Sequence, residues 1–191
     1  MRRASTGNQL RLLFVGRLID LKGVHLALQA LAQLPPDVSA ATLTVVGDGP
    51  ERARLEVLAH RLGIAHRVRF AGQLPRDRVL ACYQDHDVLL FPTLRDSGGF
   101  VVMEAMASGL PVICLALGGP AMAVSDETGI RVRALDPSQV VDDLAVAIAR
   151  LARDPELRHR MGEAARMRAE REYSWDRKGE LLRELYSGVG K

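Results

Sequence analysis

Short apolar segments alternate with helical patterns over the first two thirds of the chain. Six of these segments read as β-strands: 10–16, 41–47, 67–72, 87–92, 111–116 and 129–134. Most are apolar nearly throughout, which is typical of strands covered on both faces. Helical patterns lie between them, at 24–34, 51–63, 76–84 and 100–109. The alternation predicts an α/β fold, a Rossmann-like, doubly wound sheet of about six parallel strands with helices on both faces.

The pattern changes to helices alone after residue 134. Asp136-Pro137-Ser138 and Asp154-Pro155 each indicate the start of a helix, and Ser174 is expected to cap a third. We therefore expect a C-terminal helical segment, with 154–186 forming the last helices of one domain that spans 10–186. Residues 1–9 read as a linker or an expression remnant, and residues 187–191 as a short tail.

Composition excludes several classes of protein. The 191 residues are 48% apolar, as in a folded domain, and the two cysteines lack the spacing of a zinc site or a disulfide framework. No apolar run approaches the roughly 20 residues needed to span a bilayer. The net charge of +3 comes without a nucleic-acid motif, so we expect no nucleic-acid partner. We expect a cytoplasmic protein and leave open a peripheral association with the inner face of the membrane.

The first loop that follows a strand carries two cations between glycines. It reads GRLIDLKG, from Gly16 to Gly23, with Arg17 and Lys22 five positions apart. In a doubly wound sheet, ligands bind at the carboxyl ends of the strands. A guanidinium and an ammonium placed there could hold one diphosphate. The alternative is a solvated loop in which the basic residues are incidental.

The loop after the second strand reads VVGDGPER, which is not a dinucleotide-binding fingerprint because Arg52 replaces the third glycine. A tight turn into a helix is the favoured interpretation. The chain also lacks a GxxxxGK[ST] loop, and its histidines share no metal-ligand spacing. Gly118, Gly119 and Pro120, after the fifth strand, fit either a ligand-side loop or a simple turn.

The stretch after the fourth strand combines two carboxylates with two glycines. Gly98 and Gly99 leave backbone amides uncovered at the start of a helix, where the helix dipole favours an anion. Asp96 precedes that helix and Glu104 lies about one turn into it. Ionised carboxylates there suit hydrogen bonds from sugar or ribose hydroxyls. In the alternative, Asp96 or Ser97 only caps the helix and Glu104 is a surface residue.

Together these segments resemble the C-terminal, donor-binding half of the GT-B retaining glycosyltransferases, specifically family 4 (group 1). The resemblance covers about residues 10–186. Its markers are GRLIDLKG, VVGDGPER, VRFAG, FPTLRDSGGFVVMEAMASGLPVI, the glycine pair of LALGGP, DPELRHRMGEAAR and YSWDRKGELLRELY. Their order and spacing make the resemblance specific, although no single one does.

The resemblance implies a role for each matching residue. Arg17 and Lys22 would hold the diphosphate of a UDP-, GDP- or ADP-sugar, and Gly16 would allow close backbone approach. Asp96 would contact the donor sugar, and Glu104 the ribose hydroxyls. The amides around Gly98, Gly99, Phe100 and Val101 would face the phosphates or the sugar, and Gln73 and Leu74 would border the base. No cofactor and no metal are expected.

The chain departs from the family pattern in its sequence and in its length. Asp96 replaces the usual Glu, Gly98 stands where Phe is common, and the acidic residue often found after the glycine pair is absent. Family members also hold the acceptor in an N-terminal domain that we expect as a partner of this one, so this chain alone should transfer little. The alternatives are a nucleotide-sugar epimerase of the same fold and a non-catalytic nucleotide-binding module.

Overall fold

Six parallel strands form one sheet in the structure, a computed structural model that describes residues 9–188. They are β1 (Arg11–Val15), β2 (Thr42–Val46), β3 (Val68–Gly72), β4 (Val88–Phe91), β5 (Val112–Leu115) and β6 (Gly129–Val132). Their order across the sheet is β3-β2-β1-β4-β5-β6, with every neighbouring pair parallel. The predicted Rossmann-like sheet is confirmed, strand for strand.

The helices follow the strands in the predicted alternation. They are α1 (Val24–Ala32), α2 (Arg52–Arg61), α3 (Arg76–Asp85), α4 (Phe100–Ala107), α5 (Gly118–Ala123), α6 (Pro137–Arg153), α7 (Pro155–Tyr173) and α8 (Trp175–Gly188). The connection through α1 runs from β1 to β2, and the one through α4 runs the opposite way, from β4 to β5. Because such crossovers are right-handed, α1 and α4 cover opposite faces of the sheet.

The short helix α5 corrects the expectation of a loop or turn at Gly118, Gly119 and Pro120. Two glycines and a proline lower the helix propensity of any segment. In the first turn of a helix, however, the backbone amides have no partner within the helix, so a proline there loses no hydrogen bond. The penalty is therefore small at this position.

The last three helices begin where predicted, and each has a side-chain cap. The Asp136 carboxylate accepts from the amides of Ser138 and Gln139, both at 3.0 Å, with Pro137 in the first turn. The Asp154 carboxylate accepts from the amide of Leu157 at 2.7 Å. The hydroxyl of Ser174 accepts from the amide of Arg177 at 3.3 Å. The predicted N-terminal linker (1–9) and C-terminal tail (187–191) lie largely outside the described part of the chain.

The core lies between the central strands and the two helical layers. The side chains of β4 and β5 are all buried, whereas the edge strands β3 and β6 are partly exposed because each has one neighbour. On one face α1 packs against α2 and α6, and on the other face α4 packs against α7. Within residues 9–188, no helix combines the length and apolar character needed to cross a bilayer.

The strand order reverses between β1 and β4, so the loops that follow these two strands meet at the carboxyl edge of the sheet. The amide of Leu94 donates to the carbonyl of Leu21 at 2.9 Å, and the hydroxyl of Thr93 donates to the same carbonyl at 3.1 Å. Gly23 lies at the contact with φ +66°, and a Cβ on it would stand 2.0 Å from the carbonyl oxygen of Pro92. Only glycine fits this close approach.

We expect Gly23→Ala to destabilise the protein more than Gly63→Ala. Both glycines have a left-handed backbone, but a Cβ at Gly63 would meet nothing within 4 Å. Gly63→Ala should therefore cost only the conformational penalty, about 1–2 kcal/mol. Gly23→Ala must also separate the two loops and should cost on the order of 3 kcal/mol. Urea unfolding measures both, and equal losses would contradict the close approach of Gly23 to Pro92.

Candidate functional site

Three segments meet at the carboxyl edge of the sheet: the loops 16–23 after β1 and 92–99 after β4, and residues 116–119, which lead from β5 into the first turn of α5. The second is tied to the third because the amide of Gly119 donates to the carbonyl of Asp96 at 2.9 Å. Gly118 has φ +56°, and a Cβ on it would lie 2.5 Å from the same carbonyl oxygen. The glycine pair therefore serves as close packing for the loop that carries Asp96.

Lys22 and Asp96, 74 positions apart in sequence, form an ion pair inside this group of loops. The Lys22 Nζ lies 2.6 Å from the Asp96 Oδ2, and the two side chains are 19% and 18% exposed. The ammonium also lies 5.6 Å from the centroid of the Phe91 ring, which is close enough for a cation–π interaction. Lys22 is therefore held, at the point where the strand order reverses, by a carboxylate and an aromatic face.

Asp96 also accepts hydrogen bonds from the backbone that leads into α4. Its Oδ1 accepts from the amide of Gly98 at 3.1 Å and from that of Gly99 at 2.8 Å. These two amides precede Phe100, the first residue of α4, so Asp96 organises the turn before the helix, and among the described residues no side chain caps α4. Burial disfavours the ionised carboxyl, but the hydrogen bonds from Lys22 and Gly99 outweigh burial, so the pKa of Asp96 lies below its ordinary value.

Arg17 lies in the same loop as Lys22 but differs from it in its exposure and in its partners. Its side chain is exposed, and no hydrogen bond or ion pair joins its guanidinium to another residue in the range 9–188.

The neighbouring Gly16 is covered by Gly47, on which a Cβ would lie 1.9 Å from the Gly16 carbonyl oxygen. The VVGDGPER segment therefore packs against the loop after β1, in agreement with its interpretation as a tight turn.

Glu104 lies on α4 with a hydrogen-bond partner on each carboxylate oxygen. The Tyr83 hydroxyl donates to Oε2 at 3.1 Å, and the Arg76 Nη1 donates to Oε1 at 3.0 Å. Tyr83 is fully buried, and its burial followed by the charge of Glu104 raises the pKa of the phenol far above its ordinary value. Glu104 is therefore held by a buried residue, Tyr83, and by an exposed one, Arg76.

Tyr83 and Arg76 were missed in the sequence analysis. A buried tyrosine hydroxyl needs a hydrogen-bond partner, which is the only signal that could have pointed to Tyr83. Gln73 and Leu74 lie in the loop just before Arg76, where Gln73 is exposed and Leu74 packs against the core. Within the described residues, no side-chain hydrogen bond links these two to Lys22, Asp96 or Glu104.

The start of α4 presents Gly98, Gly99, Phe100 and Val101 together. Gly99 has φ +60°, and the first amides of the helix have no acceptor within the helix. The Phe100 side chain is 67% exposed, and a Cβ on Gly98 would lie 2.9 Å from its ring. A larger residue at position 98 would displace that ring. The glycine at this position is thus linked to the placement of Phe100.

A cavity of about 570 Å³ opens beside Glu104, between α4, α7 and α8. Its lining includes Arg76, Phe100, Glu104, Trp175 and Lys178. The lining combines aromatic rings with cations of opposite sign to Glu104. Over the described part of the chain, no three His, Cys, Asp or Glu side chains cluster as a metal site would require.

The family model described as "Glycosyl transferases group 1" matches residues 2–168. The chain belongs to the group 1 glycosyltransferases. A D-inositol 3-phosphate glycosyltransferase of Corynebacterium urealyticum is 39% identical to it over an alignment 184 residues long, and the match covers 92% of this chain and 42% of that protein. This group 1 chain therefore spans less than half the length of the curated relative.

Solved structures share the fold of this group 1 domain. WaaG, a glycosyltransferase involved in lipopolysaccharide biosynthesis, matches with a TM-score of 0.76 and 31% identity, over 86% of this chain and 44% of that one. Anabaena Alr3699/HepE, solved in complex with UDP and glucose, matches with a TM-score of 0.82 over 95% of this chain and 49% of that one. Its 24% identity supports a common fold only.

We expect Asp96→Asn to lower the melting temperature at pH 7 and to have a smaller effect in acid. A carboxyl with a depressed pKa in the folded state contributes stability above its unfolded pKa, and that stability is lost as the pH falls through the folded value. The loss at pH 7 should be about 3–8 °C, and it should shrink below about pH 4.

The control for this measurement is Asp126→Asn, which breaks an exposed pair with Arg131. Such surface pairs contribute little, so this variant should melt within about 2 °C of the parent protein at both pH values. A melting-temperature loss for Asp96→Asn that is as large at pH 3 as at pH 7 would contradict the ionised, paired state of Asp96.

Proposed function

We propose that this chain is the donor-binding domain of a retaining glycosyltransferase of family 4 within group 1. The observation that carries the proposal is the meeting of Lys22, Asp96 and the N-terminus of α4 at the point where the strand order reverses. This edge of a doubly wound sheet is where such folds bind their ligands. Glu104, on the same helix, adds a carboxylate fixed by Tyr83.

The diphosphate of a nucleotide sugar fits the positive side of this group. Within residues 9–188 the guanidinium of Arg17 has no partner, so it can bind phosphate oxygens in a bidentate manner. The first amides of α4, at Phe100 and Val101, add donors and a favourable helix dipole. Lys22 contributes a charge held in place by Asp96. The nucleotide would be UDP, GDP or ADP.

The hydroxyl groups of the donor fit the two carboxylates. Each carboxylate oxygen of Glu104 accepts one hydrogen bond in the structure, so each retains a lone pair for a ribose hydroxyl. Oδ2 of Asp96 likewise retains one, which is enough for a single sugar hydroxyl. The base would then lie toward Gln73 and Leu74, at the carboxyl end of β3.

The reaction that we propose is metal-independent transfer with retention. Arg17 and Lys22 would neutralise the charge that develops on the leaving diphosphate, which is electrostatic stabilisation of the transition state. The acceptor would be held by a second, N-terminal domain, so this chain alone should bind donor and transfer little.

We place the protein in the cytoplasm. The epimerase alternative is not favoured by the group 1 match.

Binding of nucleoside diphosphates to this chain tests the proposal. Titration calorimetry with UDP, GDP and ADP should give measurable binding for at least one of them. Arg17→Ala should weaken that binding about tenfold or more, equivalent to about 1.4 kcal/mol, because a direct phosphate contact is lost. The matched control is Arg61→Ala, an exposed guanidinium at the C-terminal end of α2, on the opposite edge of the sheet. Absence of binding by all three nucleotides would refute the proposal.

The role of Glu104 is tested by comparing two ligands. Glu104→Gln should weaken the binding of the nucleoside diphosphate about tenfold, because the ribose hydroxyls lose an ionised acceptor. The same variant should bind inorganic pyrophosphate within about twofold of the parent protein, since pyrophosphate has no ribose. Equal weakening for both ligands would indicate that Glu104 acts on the phosphates or on the fold instead.

A further inference from the structure

Tyr83 is a tyrosine at a core position where a phenylalanine would fill nearly the same space. Its side chain is fully buried on α3 and packs within the hydrophobic core. Its hydroxyl donates to Oε2 of Glu104 at 3.1 Å, and within residues 9–188 this is the one hydrogen bond of that hydroxyl. A buried hydroxyl without a partner is unfavourable. The polar atom of Tyr83 is therefore accounted for by Glu104 alone.

The two side chains in this hydrogen bond differ in their freedom. The ring of Tyr83 is enclosed by the core, so its hydroxyl oxygen lies at the end of a rigid, immobile group. The Glu104 side chain is 30% exposed and turns about three single bonds. A flexible side chain that becomes fixed only when a ligand binds loses rotamer entropy at that step. Tyr83 restricts Glu104 before any ligand arrives.

Arg76, the other partner of Glu104, cannot restrict it in the same way. Its side chain is 77% exposed, and exposed ion pairs contribute little because water and salt compete for both groups. The phenol of Tyr83 is a permanent donor by contrast, since burial and then the charge of Glu104 raise its pKa far above the ordinary value. Oε2 of Glu104 therefore has a fixed partner, and Oε1 has an exchangeable one.

We propose that Tyr83 is a positioning residue that orients the Glu104 carboxylate to accept two adjacent hydroxyl groups of a ligand. Because Tyr83 is fully buried, it does not touch the ligand and acts only through Glu104. Two adjacent hydroxyls need both carboxylate oxygens in one fixed orientation. Loss of the phenol hydroxyl should therefore lower the preference for ligands that carry both hydroxyls. That these are the ribose hydroxyls of the donor rests on the proposed function.

The substitution Tyr83→Phe removes the hydroxyl and keeps the ring. Titration calorimetry at pH 7 would compare UDP, GDP and ADP with their 2′,3′-dideoxy analogues, which lack both ribose hydroxyls. The parent protein should bind at least one of the three about tenfold more tightly than its analogue. Tyr83→Phe should lower this ratio of affinities at least about threefold. Its affinities for the analogue and for inorganic pyrophosphate should stay within about twofold of those of the parent protein.

Tyr173→Phe is the matched control. It makes the same chemical change on α7, in a tyrosine whose hydroxyl has no hydrogen bond to another residue in the described range. This variant should keep the ratio within about 1.5-fold of the parent value. A second comparison adds Tyr83→Phe to Glu104→Ala. The ratio should then change by less than about 1.5-fold, because the residue through which Tyr83 acts is gone.

Three results would overturn the proposal. The first is a Tyr83→Phe variant with the ratio of the parent protein, and the second is a further fall in the ratio when Tyr83→Phe is added to Glu104→Ala. The third is an equal loss of affinity for the ribonucleotide, its analogue and pyrophosphate, which would assign Tyr83 to packing only. Failure of the proposed function is distinct: the parent protein then binds none of the three nucleotides, and the role of Tyr83 falls with it.

Discussion

Backbone contact between the loops after β1 and β4 is the constraint on which the site depends. The amide of Leu94 donates to the Leu21 carbonyl, and Gly23 approaches the Pro92 carbonyl so closely that no side chain fits. These contacts involve no charged group, so they hold the two loops together independently of the charges nearby. Lys22 and Asp96 lie on either side of that contact, and their ion pair is short because the backbones are already held together.

The fold could be predicted from the sequence because its strands are buried on both faces. Strands such as β4 and β5 are apolar throughout, and this pattern distinguishes them from the amphipathic helices between them. The helix α5 could not be predicted, since Gly118, Gly119 and Pro120 suit a turn as well as a first helical turn. The helix α8 was predicted from its sequence pattern, but the exposure of its Trp175, which is 82%, could not be predicted.

The site could be predicted only as far as the topology determines it. Residues that follow β1 and β4 must be neighbours in a doubly wound sheet, which is why Lys22 and Asp96 were expected at one edge. The particular pairing of their side chains depends on loop geometry that no sequence period encodes. The same holds for Glu104, whose partners Tyr83 and Arg76 come from a helix 21 and 28 positions away.

The ion pair changes how the two predicted cations act. Seen in sequence, Arg17 and Lys22 are an equivalent pair around one diphosphate, but Lys22 is neutralised by Asp96 while Arg17 is exposed and unpaired within residues 9–188. The shorter side chain of Asp96 fits this state, because a carboxylate close to the backbone can accept from the amides of both Gly98 and Gly99. An aspartate at position 96 thus favours an internal pair that organises the loop before α4.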